Sequence, residues 1–133
     1  IISTDKLVIL DDCYNANPIS TKAAIDVLTM AIGRKVAILG TMGELGSNEA
    51  KLHFDTGSYA EKAGIDLVCG IGRLGKEIAK GASKGSSTKA LWFETKDDFL
   101  SSMKDIIKEG DNILIKASHG MNFPELVDAL TKF

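Results

Sequence analysis

The sequence predicts an α/β domain of three layers, a mostly parallel sheet of five or six strands with helices on both faces. Short apolar runs alternate with amphipathic segments along the whole chain. The run Val36 to Leu39 is continuously apolar, as a parallel strand buried on both faces must be. Glycines, prolines and capping residues mark the junctions between runs. Strands alternating with helices imply a covered parallel sheet, and right-handed crossovers leave few topologies.

Leu7 to Leu10 reads as the first strand. Pro18 to about Ala31 reads as a helix with Ala24, Ile25, Leu28 and Ala31 on one face. Pro18 suits a first helical position, where its missing N–H is no loss, and Gly33 suits the stop. Val36 to Leu39 is the second strand, and Thr41 to Gly46 a Gly-rich loop. Asn48 to Ala63 is a second helix, ended by Gly64. Leu67 to Ile71 is the third strand, followed by a short helix from Leu74 to about Lys80 and a polar Gly/Ser-rich loop, Gly81 to Thr88. Ala90 to Phe93 is the fourth strand. Thr95 caps a helix running to about Lys108, with Asp97 and Asp98 favourable in its first turn. Gly110-Asp111 turns the chain into the fifth strand, Ile113 to Lys116. The loop Ala117 to Asn122 leads to a last helix, from Phe123 or Pro124 to about Lys132.

A chain of 133 residues fits one domain with a substantial core. Its formal charge of -2 offers no footprint for nucleic acid or an anionic membrane. No apolar run approaches the roughly 20 residues that cross a bilayer, and no signal peptide is visible. Cys13 and Cys69 form no CxxC pair, which suits a reducing cytoplasm and argues against a disulfide scaffold or a zinc site. The chain begins at Ile1 rather than Met, which reads as an excised or processed fragment.

Chemistry concentrates in the loops that follow strands, where open α/β sheets bind ligands. In Asp11-Asp12-Cys13-Tyr14-Asn15-Ala16-Asn17-Pro18, Asp12 can accept from a ribose hydroxyl or help hold a cation. Tyr14 can stack or donate, while Asn15 and Asn17 each offer donors and an acceptor. The plainer reading is a turn whose Asn and Asp residues cap the helix after Pro18. Gly40-Thr41-Met42-Gly43-Glu44-Leu45-Gly46 permits close ligand approach and places Glu44 near a crevice; it also reads as a flexible loop. In Lys116-Ala117-Ser118-His119-Gly120-Met121, Ser118 and the backbone N–H groups can bind a carboxylate or phosphate, and His119 can donate to an anion. Helix capping is the alternative there.

Gly70-Ile71-Gly72-Arg73-Leu74-Gly75-Lys76 matches G-x-G-x-x-G, with Glu94 near the spacing of a ribose-binding acid. A dinucleotide-binding module using Gly70, Gly72 and Gly75 is therefore one alternative, and a tight turn with close helix–sheet packing another. Glu77 stands where a P-loop needs Ser or Thr for magnesium, so nucleotide hydrolysis is not expected at this loop. His53 lacks a nearby Cys or second His in sequence and reads as a satisfied surface or core histidine rather than a metal ligand. No metal-ligand spacing is apparent.

The first loop, the Gly40-x-Met42-x-Glu44-Leu45-Gly46 motif with His53 downstream, and Lys116 to Met121 together resemble the C-terminal domain of the Mur ligases, over nearly the whole chain. The resemblance implies a Rossmann-like domain that binds no dinucleotide and belongs to a three-domain, ATP-dependent enzyme of peptidoglycan synthesis in the cytoplasm. It implies that the UDP-substrate domain and the ATPase domain, with its P-loop and Mg2+ ligands, lie upstream of residues 1–133. It further implies D-alanyl-D-alanine as incoming substrate and UDP-N-acetylmuramoyl-tripeptide as acceptor. Asp12, Tyr14, Asn15 and Asn17 would contact the nucleotide or the dipeptide; Ser118 and its loop would meet the dipeptide carboxylate. His119 stands where the family usually has Arg, and Thr41 where an acidic residue is common. The fragment alone is expected to be inactive and to hold neither ATP nor Mg2+ tightly. A noncatalytic interaction domain of the same fold is the remaining alternative.

Overall fold

The computed structural model describes residues 1–12, 16–117 and 121–133. Its elements run β1 (Ile2–Ser3), β2 (Val8–Asp11), α1 (Pro18–Thr29), β3 (Lys35–Leu39), α2 (Glu49–Lys62), β4 (Leu67–Ile71), α3 (Gly75–Ala82), β5 (Lys89–Phe93), α4 (Lys96–Ile106), β6 (Asn112–Lys116) and α5 (Pro124–Thr131). A 3-10 turn, Gly46–Asn48, leads into α2. These are the five strands and five helices read from the sequence, shifted by a residue or two at their ends.

The sixth strand, β1, has no sequence signal, because two residues show no period. It forms through a tight turn in which the Thr4 hydroxyl accepts from the backbone N–H of Leu7 at 2.9 Å. That turn pairs Ile2 with Ile9 and Ser3 with Val8, antiparallel. The sheet order is β1-β2-β6-β3-β4-β5, and every pairing beyond β1 is parallel.

Strand alternation divides the core into two layers. Ile9, Val36, Ile38, Cys69, Ile113 and Ile115 pack with Phe99 and Met103 of α4 and Leu126 and Leu130 of α5. Ala37, Leu39, Val68 and Leu114 pack with Ile25 and Leu28 of α1, Ala60 of α2 and Ile78 of α3. Helices α1 to α3 therefore cover one face and α4 and α5 the other.

Local chemistry sets the helix starts. Asn17 caps α1: its Oδ1 accepts from Ser20 N at 2.9 Å, and the Ser20 hydroxyl accepts from Asn17 N. Thr95 and Asp98 make the same reciprocal box at α4. Helices α2 and α3 touch backbone to backbone. A Cβ added to Gly57 would lie 1.9 Å from the Ile78 carbonyl oxygen, and one added to Gly81 2.0 Å from that of Phe54. At the N-terminal edge of the sheet, buried Asp111 accepts from Arg34 Nη1 and from Lys108 N, each at 2.8 Å.

Candidate functional site

Parallel register brings three chain exits together at the opposite edge. Asp11 of β2 lies opposite Ile115 of β6, and Leu39 of β3 opposite Lys116. The ladder continues one residue beyond each strand: Asp12 N donates to Ile115 O and Gly40 N to Lys116 O, both at 3.0 Å. The loops after β2, β3 and β6 thus share one rim. The chain after β6 turns to the face of α5, whereas β2 and β3 lead to α1 and α2. A crevice opens at a strand end wherever neighbouring connections leave to opposite faces, so β6 has one on each side.

Asp12 stands at this rim with its side chain 50% exposed, and its Oδ2 accepts from Lys116 Nζ at 2.8 Å. The Lys116 side chain is 1% exposed. Asn17 is exposed at the start of α1, its Oδ1 committed to the cap. The plainer reading of Asn17 therefore holds for that oxygen, while its amide NH2 is a separate donor. Glu44 is exposed and adopts a left-handed backbone, φ 61°, a conformation uncommon outside glycine. Tyr14, Asn15, Ser118 and His119 lie outside the described residues. Lys116 is the residue to which sequence reasoning gave no role. Its signal was there: a single charge ending the apolar run Ile113-Leu114-Ile115.

The segment Gly40 to Met42 ties the loop after β3 to the loop after β6 and to helices α1 and α2. Thr41 N donates to the Met121 sulfur at 3.0 Å, across the β3–β6 crevice. The Thr21 hydroxyl of α1 lies 3.7 Å from the Met42 sulfur. Met42 N donates to His53 Nε2 at 2.8 Å, and His53 Nδ1 lies 2.6 Å from the Glu49 carbonyl oxygen. Since Nε2 accepts, the proton sits on Nδ1 and the ring is neutral. Burial of the ring lowers the His53 pKa from 6.5. His53 is thus a satisfied histidine, and of the two placements its sequence context left open it takes the core; it pins the loop that carries Glu44.

The glycine fingerprint has a packing explanation. A Cβ on Gly70 would lie 2.0 Å from the Gly75 carbonyl oxygen, and Gly72 has φ 91°. The glycines let β4 turn tightly into α3. Cys69 is fully buried on β4, and burial pushes its thiol up to about 12, far from a reactive thiolate. Among the described residues, no three His, Cys, Asp or Glu side chains converge as a metal site.

A family model described as "Mur ligase, glutamate ligase domain" matches residues 1–119. A UDP-N-acetylmuramoyl-tripeptide--D-alanyl-D-alanine ligase of Bacillus subtilis is 41% identical over 98% of the chain. The Escherichia coli protein of the same name is 34% identical over 92%. The chain spans 29% and 26% of the lengths of these two relatives. A crystal structure of MurF from Acinetobacter baumannii superposes with TM-score 0.89 and 27% identity, covering 99% of this chain and 30% of that one.

Proposed function

The chain belongs to the Mur ligase family, and from that membership we propose that it serves as the C-terminal domain of an ATP-dependent ligase. The full-length enzyme would join D-alanyl-D-alanine to UDP-N-acetylmuramoyl-tripeptide in peptidoglycan synthesis in the cytoplasm. The observation that carries this reading is the 41% identity, across 98% of the chain, to a relative named for that reaction.

In this reaction the γ-phosphoryl group of ATP passes to the acceptor carboxylate, giving an acyl phosphate and ADP. The dipeptide amine attacks the acyl carbon, the amide forms with loss of a proton, and phosphate leaves. This chain's part is positioning, which makes a bimolecular attack effectively unimolecular, together with control of charge around anionic groups. Asp12, Tyr14, Asn15 and Asn17 contact the nucleotide or the dipeptide from the β2–α1 loop. Glu44 contacts the same ligands from the loop after β3. Ser118 and His119 meet the dipeptide carboxylate from the β6–α5 loop. A neutral histidine gives a carboxylate one N–H where an arginine would give a two-pronged cation. Magnesium accompanies ATP in this reading, but the described residues offer no acidic cage for it. The ion would be held by another part of the full-length protein.

The test is an assay of the full-length protein with ATP, magnesium, UDP-N-acetylmuramoyl-tripeptide and D-alanyl-D-alanine. Amide formation that requires the dipeptide supports the reading. Absence of that product, or kinetics unchanged when Ser118 is replaced by Ala, contradicts the ligase assignment or the site assignment respectively. Residues 1–133 alone are expected to give no ligation and no ATP hydrolysis.

A further inference from the structure

We propose that Lys116 is a positioning residue of this site, holding the Asp12 carboxylate in one orientation and offsetting its charge. The inference rests on the ligase reading above. Three observations carry it. The ammonium is buried, with 1% of the side chain exposed, yet it ends a strand whose preceding residues are Ile113, Leu114 and Ile115. An apolar residue would serve packing alone at lower desolvation cost. Its partner is half exposed at the rim, with Oδ2 held at 2.8 Å. One carboxylate oxygen is therefore fixed by the protein, and the side chain stays half exposed at the rim. Finally, the pair joins residues 104 apart in sequence, so it locks the β2–α1 loop to the exit of β6.

Charge gives the lock a second purpose. Asp11 and Asp12 bring two carboxylates to a rim that must admit the phosphates of ATP and the carboxylate of the dipeptide. A lysine ammonium behind Asp12 reduces that repulsion while leaving the carboxylate able to accept from a substrate hydroxyl or N–H.

The experiment uses the full-length ligase and measures kcat and both KM values, for ATP and for D-alanyl-D-alanine, in Lys116→Met, Lys116→Arg, Asp12→Asn and Lys116→Met/Asp12→Asn. Lys116→Met should raise the same KM that Asp12→Asn raises, by about tenfold or more, the size of a charge-assisted hydrogen bond. The double variant should be no worse than Asp12→Asn, because the two residues act as a unit. Lys116→Arg, which keeps the cation, should stay within about threefold of the unmodified enzyme. Unchanged KM values in a folded Lys116→Met overturn the proposal, as do effects that multiply in the double variant. If Lys116→Met does not fold, Lys116→Arg decides: a folded Arg variant with the impaired KM of Asp12→Asn overturns the proposal. An unmodified enzyme that ligates no dipeptide instead overturns the functional reading beneath it.

Discussion

Asn17 has an observed role as a cap and a proposed one toward substrate, and a single substitution can separate them. Its Oδ1 caps α1, and its NH2 is the donor we propose for substrate. Asn17→Asp keeps the capping oxygen and removes the donor. Stability should hold within about 0.5 kcal/mol, while the KM for D-alanyl-D-alanine or ATP in the full-length enzyme rises; unchanged kinetics would leave Asn17 as a cap alone. His53 makes a different prediction. Its folded-state pKa lies below the ordinary 6.5 because burial disfavours the charged ring. The unfolded chain therefore binds the proton first, so the stability contributed by the neutral ring is complete above pH 6.5 and is lost as pH falls below it. In urea unfolding followed by Trp92 fluorescence, the advantage of the unmodified chain over His53→Gln should shrink below pH 6.5; a gap independent of pH would contradict this. Asp111 is buried with two donors on one oxygen. Asp111→Ala should lower stability by about 2–3 kcal/mol, by stranding the Lys108 N–H and the Arg34 charge. Asp12, Asn17 and Glu44 could be nominated from sequence because they sit in loops after apolar runs, and the structure leaves all three exposed. The role of Lys116 was not legible there, since its partner is 104 positions away and pattern reading sees only neighbours.

Elements with a clear period were legible, and those set by contact were not. Strands β2 to β6 announced themselves as apolar runs, and the Asn17 and Thr95 boxes as cap residues. β1 depends on the Thr4 hydroxyl and on the free edge of β2, neither of which has a local pattern. The glycine fingerprint misleads in the other direction. Its spacing fits a phosphate loop, but Gly70 and Gly75 are needed because strand and helix backbones nearly touch. The same holds between α2 and α3, where Gly57→Ala would drive a methyl group into the Ile78 carbonyl. That substitution should destabilise the chain by at least about 2 kcal/mol, read from the urea midpoint. An unchanged midpoint would mean that the two helices are not packed as closely as described.

At the scale of the whole molecule, sheet order makes the site. β6 is the last strand in sequence, yet it inserts between β2 and β3, and its helix lies on the face opposite theirs. Three loops far apart in the chain therefore meet at one edge, while Arg34 and Asp111 lock the other. A parallel α/β architecture followed from the alternation of strands and helices; the insertion of β6 came only from the structure, because periodicity says nothing about which strands are neighbours. The most direct test is hydrogen exchange on the full-length enzyme, with and without UDP-N-acetylmuramoyl-tripeptide, D-alanyl-D-alanine and a non-hydrolysable ATP analogue. The account predicts new protection in segments 11–18, 40–46 and 117–122, with 33–35 and 108–112 unchanged. Protection confined to 70–76, or to the Arg34–Asp111 edge, would contradict it.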